Sequence, residues 1–170
     1  MTFNFSKFSK YIFLDIDGVL ATDTTYKEWW AAGSPDTLEW KVKLLDKNCI
    51  ELLNFLIEEV NPGLIISSNW KRLEINEYSL SEIFKRAKIS AYPITLSRRI
   101  IGTTPDVFSR HHGIEIDKYV KVSKIKPESF IILDDMEEAG LFYPDRLILT
   151  SESIGLTSLD IEKAIQLLGD

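Results

Sequence analysis

The sequence predicts an open α/β sheet of parallel strands, because short apolar runs alternate along it with segments of helical periodicity. Each apolar run is continuous rather than alternating, which is typical of strands covered on both faces of a sheet. Parallel neighbours need a crossover of about a dozen residues or more, and the helical segments supply it. The predicted strands are Tyr11 to Leu14, Leu64 to Ser67, Phe130 to Leu133 and Leu147 to Leu149.

Two helices have clear limits in the sequence. The first begins after Asp46 as N-cap, has apolar residues at helical spacing, and ends at the stop signal Asn61-Pro62-Gly63. The second begins at Thr157 or Ser158 and continues to Leu168, with its apolar residues on one stripe. Further helices are predicted around Ser81 to Lys88 and around Gly113 to Val120.

Composition indicates one soluble globular domain over residues 1–170, with 45% hydrophobic and 27% charged residues. No apolar stretch approaches the roughly 18 residues that span a membrane. The N-terminal segment lacks the apolar core of a secretory signal, so we expect a cytoplasmic protein. Cys49 is the single cysteine and has aliphatic neighbours, which predicts a buried thiol rather than a reactive one.

The net charge of −6 argues against a surface dedicated to duplex nucleic acid, because such affinity comes mainly from Lys and Arg that neutralise phosphates. A local basic pocket is still compatible with this charge. The sequence indicates neither a membrane partner nor an obligate protein partner.

Polar side chains follow three of the predicted strands at the point where each strand ends. In open parallel sheets the ligand site lies outside the carboxyl ends of the strands, so these side chains should converge there. They are Asp15 and Asp17 after the first strand, Ser67 and Ser68 at the end of the second, and Asp134 and Asp135 after the third.

Crowded carboxylates repel one another, and their pKa values rise unless a cation lies among them. Mg²⁺ suits this arrangement, because it takes oxygen ligands and commonly joins carboxylates to a substrate phosphate. Asp15 could then attack phosphorus as a nucleophile. Asp17 has the same strand orientation two residues later and could act as general acid and base, while Gly18 lets the backbone turn away.

The strand ends resemble motifs of the haloacid dehalogenase-like (HAD) phosphohydrolases. "DIDGVL" is similar to their first motif, "LIISS" to their second and "FIILDD" to their fourth, in the family's order. The resemblance implies a three-layer, Rossmann-like open parallel sheet with helices on both faces. It also implies roles for the residues above: Asp15 as nucleophile, Asp17 as acid/base, Ser67 as phosphoryl ligand, and Asp134 with Asp135 completing an Mg²⁺ site formed by Asp15 and the Asp17 carbonyl.

A narrower resemblance lies in "SSNWK", in the segment from Arg110 to Ile116, in "ILDD" and in the C-terminal helix. These segments are similar to the compact HAD domains that occur alone in bacteria and in modular RNA-repair proteins. A tryptophan and a basic residue follow the second motif there, as Trp70 and Lys71 do here, and Ser68 and Lys71 are further candidates for phosphate binding. The third motif of the family is a Lys or Arg that offsets the charge on the phosphoaspartate. For this cation we favour Arg110 over Lys118 and Lys121.

The spacing of these motifs leaves no room for a large cap domain. A lid region at about 18–45 would lie beside an open site, which would admit the end of a polymer as easily as a small molecule. Trp29, Trp30 and Trp40 in this region fit a packed lid helix better than a base-stacking surface, although stacking on a base is the alternative. His111 and His112 are adjacent and therefore diverge on a helix, so we interpret them as ordinary structural residues.

The expected function is that of a Mg²⁺-dependent phosphatase that forms an aspartyl-phosphate, with a nucleotide or polynucleotide-end phosphate as substrate. Small metabolites and phosphoproteins are alternative substrates for the same chemistry. A phosphoacceptor signalling module is a different alternative, since it also gathers aspartates and Mg²⁺ at strand ends. Asp17 distinguishes the two classes, because turnover needs an acid/base and a persistent switch does not.

Overall fold

The structure, a computed structural model, describes residues 8–75, 80–89, 100–106 and 111–169. Within these residues it contains a five-stranded parallel sheet with the strand order β3-β2-β1-β4-β5. The predicted class of open, Rossmann-like α/β fold is confirmed. The strands are β1 Tyr11–Leu14, β2 Gly63–Ile66, β3 Ile100–Thr103, β4 Phe130–Asp134 and β5 Leu147–Leu149.

α-Helices lie between β1 and β2, between β2 and β3 and between β3 and β4, as the sequence predicts, whereas the described segment between β4 and β5 contains 3₁₀ helices and no α-helix. Shorter 3₁₀ helices occur in the connections, among them one at Asn69–Ile75 directly after β2 and one at Glu137–Gly140 after β4. The α-helices are α1 Asp23–Ala31, α2 Leu38–Lys43, α3 Lys47–Val60, α4 Leu80–Arg86, α5 His112–Ser123 and α6 Ser158–Gly169.

The central strand β1 has its side chains buried on both faces of the sheet. Ile12 and Leu14 point to a core formed with α3, α4 and α6, whereas Tyr11 and Phe13 point to a second core formed with α5. All four side chains of β1 are buried. This two-sided burial explains why the strand reads as a continuous apolar run rather than as an alternating one.

The register of the central strands determines where the polar residues after them lie. Leu14 of β1 is paired with Ile66 of β2 and with Leu133 of β4. The next residue of each strand therefore leaves the sheet at the same level, and the Asp15 amide still donates to the Leu133 carbonyl at 3.0 Å. Polar residues after these strands consequently meet at one edge of the sheet.

The predicted helix after Asp46 is confirmed, together with its signals. The Asp46 carboxylate accepts hydrogen bonds from the amides of Asn48 and Cys49 at 2.8 and 3.2 Å, as an N-cap should. Asn61 ends the helix in the left-handed conformation with φ 52°. The Cys49 thiol is buried, and burial raises its pKa to about 11, which agrees with the predicted unreactive thiol.

Strand β3 was not predicted. Its residues are only partly buried or exposed, it contains Gly102, and its pairing with β2 shifts register between Leu64 and Ile65. An edge strand of this kind lacks the buried apolar run by which the other strands are recognised. The lid segment 18–45 contains α1 and α2, and no helix within the described ranges is long and apolar enough to cross a membrane.

Candidate active site

Two buried carboxylates form the centre of the site at the carboxyl edge of the sheet. Asp15 directly follows β1, and its side chain has an exposure of 5%. Asp134 is the last residue of β4, and its side chain has an exposure of 0%. The Ile16 amide donates to Asp15 Oδ1 at 2.7 Å, and the Met136 amide donates to Asp134 Oδ1 at 3.0 Å. One oxygen of each carboxylate is thus held by the backbone.

His112, the first residue of α5, lies against the other oxygens of these carboxylates. Its Nδ1 is 2.8 Å from Asp134 Oδ2 and 3.7 Å from Asp15 Oδ2. One ligand atom from each of Asp15, His112 and Asp134 lies within 4.8 Å of the others, so the three side chains could hold a metal ion. The imidazole also partly offsets the negative charge of the pair.

The electrostatics of this cluster follow from burial and from like charge. Burial raises the pKa of Asp15 to about 7 and the charge of Asp134 adds to the rise, whereas His112 and a hydrogen bond from Ser68 act in the opposite direction. Burial lowers the pKa of His112, but the hydrogen bond and charge of Asp134 outweigh it and raise that pKa to about 9. Two carboxylates and one cation thus form a tightly coupled group.

His112 was interpreted from the sequence as an ordinary structural residue, and the structure instead places it in this cluster. The side chains of His111 and His112 do diverge, since His111 Nε2 lies 3.5 Å from Glu138 Oε2. The carboxylates beside His112 come from the ends of β1 and β4, which are distant from it in the chain. The available signal was that a helix predicted to start near Gly113 would begin beside the acidic strand ends.

Asp17 lies beside this centre and is held by two aromatic residues. Tyr26 Oη donates to Asp17 Oδ1 at 2.6 Å, and Trp70 Nε1 donates to the same oxygen at 2.9 Å. Tyr26 comes from the lid helix α1, and Trp70 from the 3₁₀ helix after β2. Trp70 is buried in the first core and also donates to Asp17, so it belongs both to the packing of the core and to the site.

Gly18 makes the tight turn that follows Asp17. Its φ is +67°, and a Cβ built on it would lie 2.3 Å from Asp135 Cγ and 2.5 Å from Asp135 Cβ. Asp135 therefore packs directly on the glycine, and burial together with the charge of Asp134 raises its pKa to about 6. The Thr150 hydroxyl donates to the Gly18 carbonyl at 2.7 Å and fixes the turn from β5.

The two serines after β2 differ in their surroundings. The Ser67 amide continues the ladder by donating to the Leu14 carbonyl, and its buried hydroxyl has no hydrogen-bond partner in the part of the chain that the structure describes. The Ser68 hydroxyl bonds to Asp15 and accepts from the Trp70 amide at 3.2 Å. An unpartnered buried hydroxyl usually indicates a missing partner, and a phosphoryl oxygen would provide one for Ser67.

Lys71 is held in a buried ion pair. Its Nζ lies 2.6 Å from Glu115 Oε2, 3.1 Å from Thr104 Oγ1 and 3.3 Å from Asp106 Oδ1, and its side chain has an exposure of 6%. The charge of Glu115 in turn contributes to the raised pKa of His112. The network therefore connects Lys71 through α5 to the carboxylate centre.

The three residues predicted as candidates for the third-motif cation do not share one location. Arg110 lies outside the described residues. Lys118 is exposed on α5, and Lys121 is also exposed and pairs with Asp117 at 2.7 Å on the same helix. Of the described cationic side chains, His112 is the one that contacts the central carboxylates.

The donors at this edge suit a hard divalent cation. Carboxylate oxygens of Asp15 and Asp134 are buried close together, and Asp135 and the Asp17 carbonyl come from the turns that follow the same two strands. Mg²⁺ prefers such oxygen ligands, and it would relieve the repulsion that raises the pKa of Asp15. Mg²⁺ is therefore compatible with the residues present, and the imidazole of His112 adds a nitrogen that other divalent metals also accept.

A groove of about 1050 Å³ lies away from the carboxylates, between the lid helices and the ends of α3 and α4. None of the residues that line it belongs to the acidic cluster. It contains charges of both signs, such as Glu28, Lys43 and Arg86. The convergent polar chemistry lies at the strand ends, and we therefore place the candidate site there.

Fold and site together define an α/β domain whose acidic centre lies at the carboxyl edge of a parallel sheet. The family model described as "HAD domain in Swiss Army Knife RNA repair proteins" matches residues 11–161. The chain therefore belongs to this family of compact HAD domains. No curated protein and no solved structure gives a significant match to the chain.

Proposed function

We propose that this protein is a Mg²⁺-dependent phosphatase that acts through an aspartyl-phosphate on nucleotide or polynucleotide-end phosphates. The observation that carries the proposal is the buried pair Asp15 and Asp134 beside Asp17, at the carboxyl edge of the sheet. Membership of the HAD family supports a phosphohydrolase of this general type.

In the first step, an Asp15 carboxylate oxygen attacks phosphorus and the bond between phosphorus and the ester oxygen breaks. The Ile16 amide donates to Asp15 Oδ1 at 2.7 Å, whereas Oδ2 has the longer 3.7 Å approach of His112 Nδ1, and we assign Oδ2 as the attacking oxygen. Asp17 gives a proton to the departing oxygen, and the Ser67 hydroxyl, which has no partner among the described residues, donates to a phosphoryl oxygen.

In the second step, water attacks phosphorus of the aspartyl-phosphate and gives its proton to Asp17. The bond between phosphorus and Asp15 breaks, phosphate leaves, and both aspartates return to their starting states. Mg²⁺ bound by Asp15, Asp134, Asp135 and the Asp17 carbonyl would offset the charge of the carboxylates and of the phosphate. Asp134 would hold His112 at Nδ1 in both steps.

The printed description of the matched family refers to RNA-repair proteins, which favours a nucleic-acid end as substrate. The exposed ring of Trp30, with an exposure of 59%, lies 5.9 Å from the Tyr26 ring beside the site and could stack on a base. Trp29 is partly buried and donates to the Pro35 carbonyl, so it belongs to the packing of the lid.

The test is Mg²⁺-dependent phosphate release from oligonucleotides phosphorylated at the 3′ or 5′ end, mononucleotides, phosphopeptides and sugar phosphates. Asp15→Asn is the blank, and Asp145→Asn, an exposed aspartate, is the matched control. We expect release to be fastest from oligonucleotide ends, unchanged in the control and abolished in Asp15→Asn.

Faster release from sugar phosphates or phosphopeptides would contradict the substrate class while retaining the chemistry. Retained activity of Asp15→Asn would contradict the nucleophile. A wild-type protein that becomes stably phosphorylated on Asp15 and releases no phosphate would be a phosphoacceptor module rather than a phosphatase.

A further inference from the structure

We propose that Tyr26 and Trp70 are positioning residues that hold the Asp17 carboxylate by one oxygen, Oδ1, and leave the other, Oδ2, to exchange the proton. This inference deepens the proposed function and rests on it, because it concerns how the acid/base residue of that reaction is oriented.

The two donors approach one oxygen of Asp17 and not both. Tyr26 Oη is 2.6 Å and Trp70 Nε1 is 2.9 Å from Oδ1. Among the residues that the structure describes, both side-chain hydrogen bonds to Asp17 fall on this atom. A carboxylate oxygen has two in-plane lone pairs, and these two donors occupy them. A proton carried by Asp17 must therefore be on Oδ2.

Both donors are fixed from their own elements. The Tyr26 amide donates to the carbonyl of Thr22, the N-cap residue of α1, and Thr22 forms a reciprocal capping box with Thr25. The Trp70 amide donates to Ser68 Oγ, whose hydroxyl also bonds to Asp15. The same residue thus connects the nucleophile to the acid/base.

The Tyr26 hydroxyl remains a donor under ordinary conditions. Burial raises the pKa of Tyr26, and the neighbouring charge of Asp17 raises it further. Trp70 has a single N–H, which can donate and cannot accept. Neither residue can take the proton from Asp17, so each acts by orienting the carboxylate rather than by transferring a proton itself.

Orientation of a general acid matters in proportion to the need of the leaving group for a proton. A departing p-nitrophenolate is stable without one, whereas an alkoxide or a simple phenolate is not. General acid catalysis raises the rate by about 10²- to 10⁴-fold. We expect the loss of one of the two positioning bonds to remove roughly a tenth to a third of the logarithm of this rate enhancement. The effect should therefore depend on the leaving group.

The experiment measures kcat/KM for a series of aryl phosphates, from p-nitrophenyl to unsubstituted phenyl phosphate, with Mg²⁺ and the full chain. The quantity kcat/KM reports the step in which the leaving group departs. The variants are Tyr26→Phe, which removes only the hydroxyl, and Trp70→Phe, which removes the indole N–H. Asp17→Asn shows how steeply kcat/KM depends on the leaving group when the general acid is absent.

The matched control is Tyr143→Phe. Tyr143 also donates its hydroxyl to a carboxylate, Asp117 Oδ1 at 3.0 Å, but it packs in the second core on Phe130 and away from Asp17. Thermal unfolding of each variant shows whether it folds. If Trp70→Phe does not fold, Tyr26→Phe still decides the outcome.

We expect kcat/KM of Tyr26→Phe to fall several-fold for phenyl phosphate and less than about twofold for p-nitrophenyl phosphate, in line with selective loss of general acid catalysis. Tyr143→Phe should follow the wild type across the series. On the Asp17→Asn background, Tyr26→Phe should have no further effect on the slope.

Two results would overturn the inference, and they are distinguishable. In the first result, Asp17→Asn steepens the dependence of kcat/KM on the leaving group, but Tyr26→Phe lowers kcat/KM equally for all substrates or for none. The positioning role then fails while the proposed function stands. If the wild type hydrolyses no substrate in the series or in the nucleotide panel, the proposed function fails and the inference fails with it.

Discussion

Asp134 is the most buried carboxylate of the site, and both of its oxygens are engaged. Met136 donates its amide to Oδ1, and His112 Nδ1 lies 2.8 Å from Oδ2. Such a residue is held in one orientation, which is useful for a metal ligand and costly for an isolated charge. Its contribution can be measured without any substrate, through the stabilisation that a bound cation gives the folded state.

We predict that Mg²⁺ stabilises the wild type and does not stabilise Asp134→Asn. A ligand at about a hundred times its Kd stabilises the folded state by about 2.7 kcal/mol. For a chain of this size that corresponds to a rise in Tm of roughly 5–10 °C. The measurement is thermal unfolding over a Mg²⁺ titration, with EDTA as the metal-free reference.

Asp145→Asn again serves as control and should keep the full shift in Tm, because Asp145 is exposed in the 3₁₀ helix before β5. An equal shift in Asp134→Asn and in the wild type would show that the cation binds elsewhere. The same titration with Ni²⁺ tests whether the nitrogen of His112 favours a metal that binds imidazole better than Mg²⁺ does.

At the residue scale, the sequence predicts the aspartates well and the residues around them poorly. Asp15, Asp17 and Asp134 follow apolar strands, so their position at the sheet edge could be inferred from local patterns. His112 and Tyr26 come from helices whose approach to that edge depends on tertiary packing. A histidine or tyrosine at a helix start has many uses, so local sequence alone cannot assign either residue to the site.

The turn after β1 shows how an element imposes a requirement on one residue. Gly18 has φ +67°, and Asp135 from the end of β4 occupies the space where a side chain would begin. Rotation of Asp135 does not relieve the contact, because its Cβ would be 2.5 Å from the added methyl group. The turn and the acidic pair therefore have to pack together.

We predict that Gly18→Ala is destabilised by about 3 kcal/mol or more, as the sum of left-handed strain and overpacking. Gly33→Ala is the matched control, since Gly33 has φ +84° and nothing within 4 Å of its added Cβ. It should lose only about 1 kcal/mol, the cost of the backbone conformation. Urea unfolding of the two variants separates strain from crowding.

Equal losses in the two variants would mean that Asp135 can move away from the turn at little cost. A larger loss in Gly18→Ala should be accompanied by weaker Mg²⁺ stabilisation, because the turn carries the Asp17 carbonyl and packs against Asp135.

The predicted elements match the structure where the chain is buried and differ where it is not. Strands β1 and β5 have the predicted limits, β2 is shifted by one residue at both ends, β4 extends one residue further than predicted, and α3 has the predicted cap. Strand β3 lies at the edge and does not have a continuous buried run, so hydrophobic pattern could not identify it. The order of the strands also depends on long-range pairing that no local pattern specifies.

At the scale of the whole molecule, charge and site architecture support the proposed recognition of an end rather than of a long strand. The chain has 26 acidic and 20 basic residues, so its average field repels a polyanion. Lys71, a buried basic residue beside the site network, is already paired with Glu115 at 2.6 Å. A polynucleotide substrate would therefore be bound mainly through its terminal phosphate and, at Trp30, through one base.

We predict that KM for phosphorylated oligonucleotides depends weakly on salt and on length. Each phosphate neutralised on a single strand contributes a slope of about −0.7 in log affinity against log salt. Contact with one or two phosphates gives a slope of about −0.7 to −1.4, and chains of about 4 and about 20 nucleotides should then have similar KM values. A 5′- or 3′-phosphorylated mononucleotide provides the reference slope.

A slope of −3 or steeper, with KM falling as the oligonucleotide lengthens, would contradict end recognition and indicate a basic track along the strand. Trp30→Ala measures the contribution of base stacking to binding. Loss of one stacked base costs about 1–3 kcal/mol, so this variant should have a higher KM for oligonucleotides and an unchanged dependence of KM on salt. An unchanged KM in Trp30→Ala would leave the terminal phosphate, which we propose binds at Asp15 and Ser67, as the source of recognition.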